Sequence, residues 1–98
     1  MQEVVEGRQK QGIDEEICYK ITTTNWGSNP TLIEVKAFVN EVDFTDAVFP
    51  VNSPSATGDV ITLSAAKNLN AGTTYRVEVK FTVDSNVFEC FFLLEGER

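Results

Sequence analysis

The sequence predicts an all-β domain, an antiparallel β-sandwich of about seven strands in two layers. Three observations predict it. Apolar residues recur with period two rather than with the period of a helix, most clearly from Thr73 to Val83. Turn-forming residues separate the alternating segments at short intervals. The chain of 98 residues, 42% apolar and 23% charged, is sized and composed for one globular core. Residues 1–98 are therefore read as a single domain, with 1–12 a loosely held first strand or arm.

From the N-terminus, Glu3–Arg8 reads as a weak first strand. Ile13 to Thr22 follows, with Ile17, Tyr19 and Ile21 on one face, and Asn25 to Pro30 is a loop. Thr31 to Val39 sets Ile33, Val35, Ala37 and Val39 against Glu34, Lys36 and Phe38; Glu41–Phe44 is a weaker strand after it. Asn52 to Asp59 carries Ser, Pro and Gly and reads as a loop, and Val60 to Ser64 pairs Ile61 with Leu63 on one face. Ala65-Ala66-Lys67 favours one helical turn, but Gly72 comes too soon for a full helix. The clearest strand places Tyr75, Val77, Val79, Phe81 and Val83 on one face, and Arg76, Glu78, Lys80 and Thr82 on the other. Asp84-Ser85-Asn86 tolerate left-handed backbone, so Val87 to about Leu94 closes a hairpin on this strand.

Charge and composition restrict the function. Fifteen acidic against eight basic residues give a net charge of −7, which repels nucleic-acid phosphates and anionic membrane surfaces alike. No apolar run approaches the roughly 20 residues of a spanning helix. Met1 to Glu6 lacks the basic and apolar regions of a signal peptide, so the product is expected to start in the cytoplasm unless a leader was removed before Met1. Histidine is absent, which removes Ser-His-Asp and Cys-His catalysis and the commonest metal ligand. The glycines are scattered and form no phosphate-cradling loop. A non-enzymatic role without cofactor or metal is expected.

Two groups of residues leave alternatives open. Cys18 and Cys90 read first as reduced, buried thiols that pack like small apolar residues, with a Cys18–Cys90 bridge as the alternative. Glu41, Asp43 and Asp46, like Asp14-Glu15-Glu16, read as solvated acidic loops; a calcium ion on Glu41, Asp43 and Asp46 is the alternative.

Val87 to Leu94 asks for more than a fold explanation. Phe88, Cys90, Phe92 and Leu94 form an unbroken core face, so Phe91 and Leu93 point away from the core. Phe38 likewise falls opposite the apolar face of its own strand. Either the N-terminal segment covers Phe91 and Leu93 through Val4 and Val5, or Phe91, Leu93 and Phe38 mark an interface for a protein partner or for homo-oligomers.

One segment carries a resemblance. Leu69-Asn70-Ala71-Gly72-Thr73-Thr74-Tyr75-Arg76-Val77-Glu78-Val79 resembles the E–F corner of fibronectin type III domains, where Leu, Gly and Tyr precede an alternating strand at these spacings. The resemblance spans about Tyr19 to Leu94 and implies an immunoglobulin/fibronectin type III-like sandwich. Tyr75 would then bond backbone a few residues upstream, Gly72 would make the turn, and Trp26 would be a core residue. A looser resemblance, carried by Trp26, Gly72-Thr73-Thr74-Tyr75 and Glu89-Cys90-Phe91-Phe92, is to small phage structural proteins of the fibre–tail adaptor type. It implies a structural role in virion assembly. A different class, an accessory sandwich binding carbohydrate or another ligand, would use loop aromatics such as Trp26 or Phe49.

Overall fold

The computed structural model describes residues 2–3 and 8–98. Along these residues run β1 (Gln2–Glu3), β2 (Gln9–Gly12), β3 (Lys20–Thr22), β4 (Thr31–Val39), β5 (Val42–Asp43), α1 (Thr45–Val48), β6 (Ser55–Thr57), β7 (Val60–Thr62), β8 (Thr74–Val83) and β9 (Asn86–Glu97). The strands form two sheets. The larger has the order β1-β9-β8-β4-β5, with β2 also on β9; the smaller has the order β3-β7-β6. With β1 and β2 counted as successive pieces of one edge strand, the all-β sandwich has about eight strands.

The β8–β9 hairpin organises the large sheet. Its ten paired positions run without a break from Thr74↔Glu95 to Val83↔Asn86. Asp84 (φ 48°) and Ser85 (φ 70°) supply the two left-handed residues of its turn, so Asn86 already belongs to the strand. Asn40 and Glu41 do the same between β4 and β5. Every second β8 side chain is buried: Tyr75, Val77, Val79, Phe81 and Val83 meet Val35, Ala37, Cys90, Phe92 and Leu94 of the same sheet. Ile21, Ile61 and Leu63 close the core from the small sheet. Each buried Val, Ile, Leu or Phe among them contributes about 1.5–3 kcal/mol over its exposed state.

Several expected elements differ. The sheet is not wholly antiparallel, because β1 and β2 lie parallel to β9. Antiparallel β8 already fills one edge of β9, and the chain between β2 and β9 is ample for the crossover a parallel pair needs. The strand expected over Ile13 to Thr22 contracts to β3, with Ile17 as an isolated bridge to Ala66. A turn shortens it: the Gly12 N–H donates to Glu15 Oε1 (2.6 Å) and the Glu15 N–H to Gly12 O (3.0 Å) as the chain leaves the large sheet. Ala65-Ala66-Lys67 is not helical, since the backbone of Ala66 is engaged by Ile17 and the Lys67 N–H by Val48 O. The one helix is α1, in the loop after β5. Within the expected loop Asn52 to Asp59, Ser55–Thr57 is β6, joined to β7 by the two-residue turn Gly58-Asp59. Of the expected strand Glu3–Arg8, Glu3 lies in β1, Arg8 in no strand, and positions 4–7 outside the described residues; β2 falls within the 1–12 segment expected as a first strand or arm, but beyond Glu3–Arg8.

The corner before β8 has the expected geometry. Leu69 is buried, Gly72 adopts φ +79°, and the Asn70 N–H donates to Tyr75 Oη at 2.9 Å. Trp26 is half-buried and packs edge-on against Phe81, ring centroids 5.7 Å apart.

The cysteines separate. Cys90 is fully buried on the inner face of β9, whereas Cys18 is exposed, contrary to the expectation that both are buried, and both are free thiols. Burial pushes the Cys90 thiol up to about 11. Burial, reinforced by the charge of Glu15, pushes the Tyr19 hydroxyl up to about 12. In both, the folded state holds a proton that the unfolded chain releases at lower pH, so their contribution to stability is complete below pH 9 and declines through 9–12. Urea denaturation repeated from pH 8 to 11 is expected to show falling stability. Cys90→Ala should flatten the decline between 9 and 11; an unchanged slope would exclude Cys90 as its source.

Candidate interaction face

The outward side of the large sheet is the candidate site. Strand registers arrange it in rows across β4, β8 and β9: Glu34–Lys80–Glu89, then Lys36–Glu78–Phe91, then Phe38–Arg76–Leu93. Lys10 of β2 adds to the end of the face beside Glu95. The side chains that sequence reasoning singled out separately, Phe38, Phe91 and Leu93, therefore surround one residue, Arg76.

Arg76 shapes the centre of this face. Its guanidinium lies over the Phe91 ring, 3.8 Å from the centroid, and its Nε donates to Glu78 Oε2 at 2.8 Å. A cation on an aromatic face is attracted by the ring quadrupole and shields part of the ring from water. Phe91, Leu93 and Phe38 are all half-buried rather than fully exposed. Whether Val4 and Val5 cover Phe91 and Leu93 concerns positions outside the described residues. Backbone pairing brings β1 alongside, with Glu3 opposite Phe91.

The charges are mixed. Lys10, Lys36, Arg76 and Lys80 stand among Glu34, Glu78, Glu89 and Glu95, so cations and anions alternate across the face although the chain carries −7. Lys80 Nζ reaches Glu34 Oε2 at 3.5 Å, and Arg8 reaches Glu95 at 3.4 Å. Such exposed pairs are worth under about 1 kcal/mol each; their alternation matters more for orienting a partner than for stability. At one end of the face, Phe38, Asn40, Glu41, Arg76 and Glu78 line an open groove.

At the opposite end the face holds apolar groups that sequence reasoning missed. Val87 is 58% exposed on β9 and Leu32 is 78% exposed on β4. Leu32 has φ +53° in a bulge where the β4–β8 register shifts between Thr31 and Glu34. A bulge residue in that conformation is usually glycine, and nothing in the local sequence announces a leucine there.

The three carboxylates of the calcium alternative do not come together in one groove. Glu41 lies in the groove with Arg76, while Asp43 and Asp46 line a different groove beside Ile33, Phe44 and Asn52. Hydrogen bonds from the Thr45 hydroxyl and then its backbone N–H, the latter at 2.8 Å, hold the Asp43 carboxyl below its ordinary value. Among the described residues no three His, Cys, Asp or Glu side chains converge to hold a metal ion. Phe49 is only 2% exposed and belongs to the core, so it is not a platform for a sugar ring. No helix of the described residues is long and apolar enough to cross a membrane. Comparison with protein-family models, with curated proteins and with solved structures finds no significant match to this chain.

Proposed function

We propose that this chain is a non-enzymatic interaction domain that docks a protein, a second copy included, through the outer face of its large sheet. One observation carries the reading: Phe38, Phe91 and Leu93 meet around Arg76 on the side of the sheet that faces away from the core. Aromatic residues and arginine in a mixed-charge surround are the composition of interface centres.

The immunoglobulin/fibronectin type III-like reading has its own support. The orders β9-β8-β4-β5 and β3-β7-β6 correspond to strands G-F-C-C′ and B-E-D of such sandwiches, and the Asn70–Tyr75 bond to their tyrosine corner. The resemblance to phage structural proteins makes virion assembly the specific form of the proposal; Trp26, Tyr75 and the Phe91–Phe92 strand support it by position alone.

Light scattering from low to high micromolar concentration tests the self-associating form. Association that Phe91→Ser and Leu93→Ser each weaken roughly 30-fold is expected, the equivalent of about 2 kcal/mol at an interface centre. Melting temperatures should stay near that of the parent, because both side chains lie off the core. A clean monomer that neither substitution alters would overturn self-association through this face.

A further inference from the structure

We infer that the free edge running from Glu16 through Cys18 into β3 pairs antiparallel with the same edge of a second copy of this chain, in a register centred on Cys18. The inference concerns a different surface from the outer face and does not rest on it. It begins from backbone accounting. Tyr19 O accepts the Leu63 N–H at 2.8 Å, the Thr23 N–H donates to Asp59 O at 2.7 Å, and Ile17 exchanges two bonds with Ala66. From Ile17 to Thr23 it is thus the odd-numbered residues that supply the backbone groups bonded across to the small sheet and the loop beside it. Strand geometry then directs the N–H and C=O groups of Cys18, Lys20 and Thr22 to the opposite side. There, among the described residues, no strand and no hydrogen-bond partner meets them, and all three residues are exposed.

This edge is open for a topological reason. After Gly12 the chain turns out of the large sheet, so β2 pairs with β9 and not with β3. A row of unpaired backbone groups is a template for another strand.

The charges select the occupant and its register. Glu16 and Lys20 flank Cys18 at equal distances along the chain. An antiparallel pair with its two-fold axis at Cys18 sets Lys20 of each copy opposite Glu16 of the other, so the favourable contact occurs twice. Moving the axis to Lys20 would oppose two lysines. Glu16 already lies 3.5 Å from Lys67 Nζ, so in the pair each carboxylate stands between two cations. The same register brings the two exposed Cys18 thiols face to face across the axis.

A pairing this short is weak by itself, and trapping reads it better than size does. The experiment uses the Phe91→Ser/Leu93→Ser chain, which removes the outer face from the outcome, and a short bismaleimide linker. Cys90 is buried, so Cys18 is the thiol that reacts in the folded chain. A covalent dimer is expected on a denaturing gel. Lys20→Glu should reduce its rate of formation by roughly fivefold to tenfold, since it turns both contacts repulsive. Glu16→Lys combined with Lys20→Glu restores opposite charges and should restore the rate. The inference is overturned by linkage that ignores Lys20→Glu, by a double variant as slow as the single one, or by equal linkage of a Cys18→Ser/Ser28→Cys control, position 28 being exposed.

Discussion

Gly96→Ala is expected to destabilise the domain by about 3 kcal/mol or more, at or above the usual ceiling for overpacking. A Cβ at this position would sit 2.3 Å from Asn70 O, 3.0 Å from Asn70 C and 3.2 Å from Leu69 Cβ. Two of these atoms are backbone, and no flexible side chain can yield in their place. Relief requires β9 and the corner to separate. That separation would stretch the Gly72 N–H to Gly96 O bond (2.9 Å) and the Gly96 N–H to Thr73 O bond (3.0 Å). It would also pull Asn70 from Tyr75, whose hydroxyl accepts its N–H. Gly72→Ala provides the comparison. Nothing lies within 4 Å of a Cβ added there, so only its φ of +79° opposes the change, at about 1–2 kcal/mol. Urea denaturation should place Gly96→Ala clearly below Gly72→Ala. The reverse order would mean that left-handed backbone, and not the close approach, limits this corner.

The contrast between those two glycines shows what a sequence can disclose. Gly72 sits inside a local segment, Leu69 to Tyr75, whose resemblance to an E–F corner implied both a tight turn at Gly72 and a bond from the Tyr75 hydroxyl to upstream backbone. Gly96 owes its importance to Asn70, 26 positions away, and only the register between β8 and β9 brings them together. The same division holds elsewhere. β4, β8 and β9 alternate strongly enough to be read directly. β2 has the sequence Gln-Lys-Gln-Gly, without an apolar face, and is a strand because the edge of β9 pairs with it. β6 was hidden by its Ser and Pro neighbours, although Thr57-Gly58-Asp59-Val60 has the form of a two-residue hairpin.

The candidate face divides similarly. Phe91 and Leu93 were visible because a strand with two apolar faces is locally anomalous, and Phe38 because it breaks the alternation of β4. That the three converge on Arg76 depends on register, which alternation alone does not determine. The exposure of Cys18 was misread for a related reason: its neighbours Ile17 and Tyr19 suggested a buried strand, but the residue lies on the outward side of an edge.

Gln11 tests how far a buried polar group governs the junction between the sheets. It is fully buried, and its amide is fully engaged: Nε2 donates to Glu15 O at 2.7 Å and to Ala66 O at 2.8 Å, while Oε1 accepts the Tyr19 hydroxyl at 2.8 Å. β2 pairs with β9 in the large sheet, whereas Ala66 bridges to Ile17 on the line of β3. One side chain therefore ties the edge of one sheet to the other. Gln11→Leu keeps the approximate volume but takes the amide away from the Glu15 carbonyl and the Tyr19 hydroxyl and leaves Ala66 O with the Ile17 N–H alone, an expected loss of about 2–4 kcal/mol. If burial of apolar volume were what this position supplies, leucine would instead be neutral or stabilising. Tyr19→Phe separates the two explanations through a double-mutant cycle. The hydroxyl has no Gln11 to bond once position 11 is leucine, so the second substitution should then cost less than in the parent, with a coupling of about 0.5–1 kcal/mol. Additive losses within about 0.3 kcal/mol would show that Tyr19 stabilises the domain only through its ring, which packs against Phe92 at 5.4 Å, and that its bond to Gln11 adds nothing.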